Sequence, residues 1–279
     1  MREFKDKVLV VTGGSSGIGA AIAREGALRG MKIVISGMTE GHVNQTVEEL
    51  KGMGAEAVGQ VADISRIENV QALLDLTLEK FGRVDMLCNN AGVSVSGPIW
   101  EIPVQDIQWI TEVNMLSHLY GMKIFIPQMI KQGGEAVIVN TESTAGLMTS
   151  PNAVMYHTTK FAGVAASECT YLALKARGLE RIQMHCLVPA FVQTQIHGVD
   201  KRRPARYAIN DDPYYESQDF KSGYIRSERQ VQAGMPIDYV GLCVFTAVED
   251  NKFYILTHPE SAMVADARVQ NLVNGRNPQ

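Results

Sequence analysis

The sequence lacks most of the features that mark secreted, metal-binding, membrane-spanning or nucleic-acid-binding chains. It has only four cysteines, Cys88, Cys169, Cys186 and Cys243, and no C-x-x-C spacing. A disulfide scaffold or a zinc ribbon is excluded on that ground, and free thiols in a reducing compartment are expected. None of the six histidines forms an H-x-x-x-H pair, so no metal is expected. No apolar run is long enough to cross a bilayer, and Met1 leads into the charged stretch Arg2 to Lys7 rather than a signal peptide. A cytoplasmic protein with no membrane partner is the expectation. Positive charge is not in excess either: the net charge is -4, which leaves no electrostatic footprint for nucleic acid.

What the chain does have is a repeated alternation of strand-like and helix-like segments. It begins with Val8-Leu9-Val10-Val11-Thr12-Gly13-Gly14-Ser15-Ser16-Gly17-Ile18-Gly19, where an apolar run stops at a glycine cluster and an alanine-rich helical pattern follows. This reads as strand, tight turn and helix N-terminus. Glycines there let the backbone approach a pyrophosphate, which free N–H groups and the helix dipole would hold. The spacing is T-G-x-x-x-G-x-G, not the commoner G-x-G-x-x-G.

Strands are expected at 7–12, 32–36, 55–61, 85–89, 136–140 and 181–188, with helices at 17–29, 41–52, 66–81, 103–131 and 151–177. Units of this kind predict an α/β fold of the Rossmann type, a doubly wound parallel sheet covered on both faces. The phosphate loop then opens at the C-terminal edge of the sheet. No linker divides the chain, so 1–279 is expected to be one domain.

The alternation breaks at Pro189. Residues 195–235 are polar, with Lys201-Arg202-Arg203-Pro204, Asp211-Asp212-Pro213 and four tyrosines. A stretch of this length predicts a substrate-binding loop or lid with short helices, the alternative being a surface insertion. A helix at 236–249, a strand at 253–257 and a terminal helix close the chain.

Tyr156 and Lys160 stand four residues apart and share a helix face. A lysine cation beside a phenol favours the phenolate, which suits proton transfer at a hydroxyl or carbonyl oxygen. The motif is common by chance, and Tyr171 with Lys175 forms a second pair on the same predicted helix, roughly 22 Å away. Position chooses between them. Ser143 lies just past strand 5, at the edge where the glycine turn opens, and Tyr156 begins the next helix. Tyr171 is carried toward the opposite edge and reads as an exposed or interface residue. His157 projects about 100° from Tyr156 on the helix, which predicts packing rather than chemistry.

Taken together, these motifs resemble the short-chain dehydrogenase/reductase family over nearly the whole chain. The glycine pattern stands at Thr12, Gly13, Gly17 and Gly19. An aspartate after strand 3 stands at Asp63, the N-N-A-G motif at Asn89 to Gly92, and the asparagine, serine, tyrosine and lysine of the family at Asn114, Ser143, Tyr156 and Lys160. The resemblance implies that Tyr156 exchanges the substrate proton and Ser143 hydrogen-bonds the substrate oxygen. Lys160 would lower the Tyr156 pKa and bind the nicotinamide ribose, and Asn114 would hold a relay water. The implied cofactor contacts are Thr12, Gly13, Ser15, Ser16, Gly17, Ile18 and Gly19 in the turn, Gly37 and Met38 after strand 2, and Asp63 and Ile64 after strand 3. Asn90, Ala91, Gly92, Tyr156, Lys160, Pro189, Val192 and Thr194 complete them.

The sequence departs from the family pattern at the end of strand 2, where Ser36-Gly37-Met38-Thr39 carries neither the acid that favours NAD nor the arginine that favours NADP. The implied cofactor is NAD(P)(H), leaning slightly to NADP(H) because no acid repels a 2′-phosphate, with NAD(H) left open. The family's P-G turn is Pro189-Ala190 here, which implies no positive φ at Ala190. Past residue 195 the chain also resembles bacterial members that include Cα-dehydrogenases of lignin β-aryl ethers.

The implied activity is interconversion of a bulky secondary alcohol and its ketone. Tyr207, Tyr214, Tyr215, Phe220 and Tyr224 would suit an aryl substrate, or would pack the loop onto its own body. Trp100 and Trp109 flank the cleft in sequence. The alternatives are a ketoreductase on a hydroxysteroid, polyketide or β-keto acyl substrate, and a non-catalytic dinucleotide-sensing regulator. A homodimer or homotetramer is expected from the resemblance.

Overall fold

Strands form where the sequence concentrates β-branched and apolar residues. They are β1 (Val8–Val11), β2 (Lys32–Gly37), β3 (Ala57–Val61), β4 (Met86–Asn89), β5 (Ala136–Thr141), β6 (Ile182–Val188) and β7 (Tyr254–Leu256). All pair in parallel, in the order β3-β2-β1-β4-β5-β6-β7. The computed structural model describes residues 1–198, 203–209 and 212–278; Lys201, Arg202 and Asp211 of the polar segment lie outside the described residues.

The helices are α1 (Gly17–Leu28), α2 (Glu40–Gly52), α3 (Ile67–Phe81), α4 (Val104–Thr111), α5 (Ser117–Gln132) and α6 (Val154–Ala176). They continue as α7 (Pro213–Glu216), α8 (Gln218–Gln232), α9 (Asp238–Glu249) and α10 (Ser261–Val273). Successive strand residues point to opposite faces, so each strand feeds two cores. Leu9 and Val11 pack with Ile22 of α1, Leu50 of α2 and Phe245 of α9, while Val8 and Val10 pack with Leu73 of α3, Phe125 of α5 and Leu174 of α6. This is the expected Rossmann-type doubly wound sheet, in which the order of strand addition, not the strand direction, reverses between β1 and β4.

The predicted helix at 103–131 is interrupted. α4 ends at Thr111, and a π-helical turn, Glu112–Leu116, precedes α5. The extra residue in that turn coincides with Asn114, whose amide faces the backbone of Val93 on both sides: Val93 N donates to Oδ1 at 2.8 Å, and Nδ2 donates to Val93 O at 2.8 Å. Periodicity runs through such a bulge almost unchanged, so the sequence conceals it.

The segment after β6 carries short helices, chiefly α8. Polar side chains staple it to the body. Arg203 and Tyr215 both donate to the buried carboxylate of Asp106, Arg206 donates to Asp63 and Ser65, Tyr207 donates to Glu112, and Tyr214 donates to Ser96 O at 2.7 Å. Burial pushes the Tyr214 phenol up to about 12, which keeps it a neutral donor.

At the opposite edge of the sheet, Asp85 is fully buried before β4 and accepts from Val8 N at 2.9 Å, and Arg83 donates to it at 2.6 Å. Replacing it with alanine strands the Val8 N–H in the core. Asp85→Ala is expected to cost about 1–3 kcal/mol in denaturant unfolding, with Asp85→Asn closer to the parent because its carbonyl oxygen still accepts. Equal stabilities for the parent and the alanine variant would contradict this account.

Candidate functional site

β1 ends on the glycine turn, and its geometry follows from what surrounds it. Gly13 and Gly17 have φ of 63° and 58°, conformations costly for residues with a Cβ. A Cβ on Gly19 would lie 2.4 Å from Gly13 O and 2.5 Å from Asn90 Nδ2, so the first turn of α1 is pressed against the loop it leaves. Thr12 ties this turn to β4: its hydroxyl accepts from Asn90 N at 2.9 Å and Ala91 N at 3.2 Å, and Asn90 Nδ2 donates to Thr12 O at 3.1 Å. The N-cap, Ser16, has no side-chain hydrogen bond to the helix, so the first N–H groups of α1 are left for another acceptor.

The turn opens onto a cleft of about 830 Å³ at the C-terminal edge of the sheet. Most of the residues singled out in the sequence line it. Gly13, Ser15, Ser16, Gly17 and Ile18 form one end, Gly37, Met38, Asp63 and Ile64 the side beyond β2 and β3, and Asn90, Ala91 and Gly92 the floor. Ser143, Tyr156, Lys160, Pro189 and Val192 line the cleft as well, and Thr194 stands beside the turn, its methyl 3.8 Å from where a Cβ on Gly17 would lie. Thr12, Gly19 and Asn114 are not in the lining; they sit behind it and shape it through the contacts given above.

At the β5 end, Ser143 caps a short turn, with Oγ accepting from Ala145 N at 3.1 Å. Lys160 is 3% exposed; its Nζ donates to Thr141 O at 2.8 Å and lies 5.9 Å from the centre of the Tyr156 ring. A Cβ on Gly92 would lie 3.6 Å from Asn114 Oδ1 and 3.9 Å from Lys160 Nζ, so floor, π-turn and α6 meet at one point. His157 is held by Ala145 O at 2.9 Å and Ser150 Oγ at 2.8 Å, a packing role. Tyr171 is 40% exposed and stacks edge-on against Phe253, away from the cleft.

Two residues absent from the sequence reading belong to this site. Glu142 is 2% exposed, with Oε2 3.5 Å from Lys160 Nζ and Oε1 3.0 Å from His118 Nδ1; His118 Nε2 reaches Ala91 O at 3.2 Å. The signals were present. A glutamate directly follows a strand that is entirely buried, and His118 stands one helical turn past Asn114.

Of the two readings of the aromatic residues after β6, the structure agrees with packing rather than with a substrate wall. Tyr207, Tyr214, Tyr215, Phe220 and Tyr224 do not line the cleft. Tyr214, Tyr215 and Phe220 pack edge-to-face on one another with centroids 4.8–5.8 Å apart, Tyr224 packs on His197, and Tyr207 packs on Trp109. Of the two tryptophans, Trp109 is buried and borders the cleft, whereas Trp100 is 81% exposed and packs no core. The apolar walls come instead from Val93, Trp109, Val113, Met148, Phe191 and Val231.

The end of β2 carries no acid and could not easily accept one. A Cβ on Gly37 would fall 2.2 Å from Ser15 Oγ and 3.0 Å from Val43. Beside it, Ser36 Oγ is fully buried and has no hydrogen-bond partner. The Asp63 carboxyl is partly buried, which works against its charge, but hydrogen bonds from Arg206 and Ser65 prevail and hold it below the usual carboxylate range. No group of three or more metal-ligating side chains occurs among the described residues, and no helix there is long and apolar enough to cross a membrane.

A doubly wound parallel sheet whose glycine turn shares a cleft with a serine, a tyrosine and a buried lysine defines a class of α/β oxidoreductases. The chain belongs to the short chain dehydrogenase family, whose model matches residues 7–204. It is 40% identical over 278 residues to a CLA biosynthesis dehydrogenase/reductase of Lactiplantibacillus plantarum, covering 100% of this chain and 97% of the relative. A C alpha-dehydrogenase of a Sphingobium species is 30% identical over 286 residues, covering 100% of this chain and 89% of the relative; the likeness runs through the tail past residue 195. A Burkholderia phymatum short chain dehydrogenase/reductase, solved in complex with NAD, superposes with a TM-score of 0.96 at 37% identity, covering 100% of this chain and 98% of the other.

The crowding at the glycine turn makes a direct prediction. Gly19→Ala is expected to destabilise the protein by about 1–3 kcal/mol, since backbone rather than a flexible side chain blocks the new methyl. Gly41→Ala, on the exposed start of α2 with nothing within 4 Å, is expected to be neutral or to stabilise by up to about 1 kcal/mol. Thermal melts of the two variants in parallel check both signs.

Proposed function

We propose that the protein is an NAD(P)-dependent oxidoreductase that interconverts a bulky, largely apolar secondary alcohol and its ketone. The observation that carries this reading is the convergence of Ser143, Tyr156 and Lys160 on the same cleft as the glycine turn. A dinucleotide fits the residues present. The turn leaves no room for a side chain at Gly19 and offers the uncapped N–H groups of α1 to a pyrophosphate, and the orphaned Ser36 hydroxyl lies where the adenosine ribose would be held. The residues that would hold it are those named above in the turn, after β2 and β3, along the floor, and at Tyr156, Lys160, Pro189, Val192 and Thr194. When bound, the nicotinamide supplies the hydride donor or acceptor.

The chain's own residues handle the proton. The Tyr156 phenol takes it from the substrate hydroxyl in oxidation and returns it to the carbonyl oxygen in reduction, and the Ser143 hydroxyl holds that same oxygen. Lys160 stabilises the phenolate by its charge and, with one donor on Thr141 O, keeps others for the ribose. Asn114, fixed by Val93, retains a second lone pair on Oδ1 for a relay water.

The bulky-substrate reading rests on the apolar walls and on the two long relatives, one named for CLA biosynthesis and the other as a C alpha-dehydrogenase. An aryl group is not specially favoured, because the tyrosines after β6 do not line the cleft. Arg226 of α8 borders the cleft and would meet an anionic group on the substrate. At the coenzyme end, nothing at Gly37 or Met38 repels a 2′-phosphate, while the NAD complex of the Burkholderia protein favours NAD(H). A second copy of the chain is the expected partner, as a homodimer or homotetramer.

The test is Tyr156→Phe. Fluorescence titration with NADH and NADPH is expected to give affinities within about threefold of the parent, while turnover on a panel of aryl, alicyclic and long-chain ketones falls by at least about 100-fold. Normal turnover, or loss of coenzyme binding, would overturn the assignment. The same titrations decide between the two coenzymes.

A further inference from the structure

Three buried ionisable groups meet behind Tyr156, and their geometry limits how they share protons. Lys160, Glu142 and His118 are 3%, 2% and 2% exposed. Lys160 Nζ lies 3.5 Å from Glu142 Oε2, and Glu142 Oε1 lies 3.0 Å from His118 Nδ1. The site is shaped for this carboxylate. A Cβ on Gly163 of α6 would fall 2.2 Å from the Glu142 carboxyl carbon, so only glycine leaves it space.

Among the described residues, the neighbours of the trio that can be named bring no positive charge to it. Cys186 on β6 faces it as a neutral thiol, since burial and then the Glu142 charge push its pKa far up. Farther along α6, Glu168 accepts from Tyr254 at 2.5 Å, and His157 is tied to Ala145 O and Ser150. Asn89, Asn140 and Ser167 form a neutral chain of hydrogen bonds alongside.

The far nitrogen of His118 decides the proton count. Nε2 meets Ala91 O at 3.2 Å, and a carbonyl oxygen only accepts, so Nε2 carries a proton. The contact between Nδ1 and Glu142 Oε1 then needs a second proton, either on the imidazole or on the carboxyl group. In both arrangements His118 and Glu142 together carry no net charge. A carboxylate paired with Lys160 alone would instead cancel the charge that the phenol depends on.

We infer that Glu142 is a positioning residue that pins Lys160 beneath Tyr156 without neutralising it, because Glu142 shares a proton with His118. The inference rests on the acid/base role proposed for Tyr156. It leads to a pattern of variants that a purely structural role does not produce. His118→Leu leaves Glu142 to cancel Lys160, so the phenol should ionise at higher pH. Adding Glu142→Gln removes that negative charge and should restore the parent behaviour. Glu142→Gln alone keeps Lys160 uncompensated and should change little.

Alkaline absorbance titration of the ligand-free protein, taken as the difference between each chain and the same chain carrying Tyr156→Phe, reads this ionisation without turnover. His118→Leu is expected to raise the midpoint by about one pH unit, about tenfold less phenolate at any pH well below it, and the double variant is expected to return it. The pH profile of kcat/KM for alcohol oxidation should move in parallel. An unmoved midpoint in His118→Leu, or a double variant no better than the single one, overturns the inference. Should His118→Leu fail to fold, nitrogen-15 spectra of the histidines in the parent chain decide. A protonated Nε2 with a shared proton at Nδ1 supports it, and a bare Nε2 overturns it. Loss of turnover with the midpoints behaving as expected would count against the proposed reaction instead.

Discussion

A lysine ammonium taken out of water needs partners, and the site of this protein is arranged around supplying them. Lys160 of α6 is satisfied by the Thr141 carbonyl at the end of β5 and by the neighbouring Glu142 carboxyl group, which is held by His118 of α5, which in turn reaches Ala91 after β4. Four segments far apart in sequence are locked by one chain of polar contacts. Each link is buried, so losing one would leave an unpaired group in low dielectric, a larger penalty than the loss of a surface ion pair. The small residues nearby follow from the same requirement: Gly163 makes room for Glu142, and Gly92 lets the floor of the cleft come close to Asn114 and Lys160.

The segment after β6 follows a different logic. It carries little core of its own, and α8 has Val231 as its fully buried residue, so it is fixed to the body by charged and phenolic side chains. Its anchors are carboxylates of the body, Asp106, Glu112 and Asp63, and its aromatic residues pack on one another and on body residues such as Ile102, Ile110 and Trp109. The wall of the cleft comes mostly from the body and the turn after β6, among them Trp109, Met148 and Phe191, with Val231 of α8 added to them. Polar anchors at the rim and an apolar wall within are what a site needs if it is to exclude water from a reacting carbonyl.

Much of this was legible in the sequence because it depends on local rules. Two-residue and 3.6-residue periodicities separated the strands from the helices, and the glycines of the first turn and the Tyr156/Lys160 spacing located the cleft. The strand ends came within about two residues, the usual scatter at fraying termini. What remained hidden depends on long-range packing. The π-turn at Asn114 leaves helical periodicity almost intact, and the backbone its amide engages, at Val93, lies 21 residues earlier. Composition cannot say which side of a segment faces a ligand, so Tyr214 and Tyr215 suggested a substrate wall where they form the segment's own packing. Glu142 reads as an ordinary loop carboxylate until a histidine from one helix and a lysine from another are brought to it.

That cluster raises a question of energetics. Buried ion pairs are seldom the most stabilising choice, and apolar residues of similar volume often serve a core as well or better. A second glycine contact, an imidazole with both nitrogens engaged and a carboxyl group at the edge of a cleft are therefore a costly way to fill this space. The lysine would explain part of it, since in the role proposed for Lys160 the ammonium must be held at one position beside Tyr156. A carbonyl alone gives one hydrogen bond and little restraint, and a free carboxylate would hold it firmly but cancel its field. On the inference above, an imidazole behind the carboxyl group would satisfy both demands: Thr141 O accepts from the ammonium, Glu142 stands 3.5 Å away at ion-pair distance, and the charge that reaches the cleft remains that of the lysine. The structure thus separates holding the cation from neutralising it, a separation that a pairwise salt bridge does not permit.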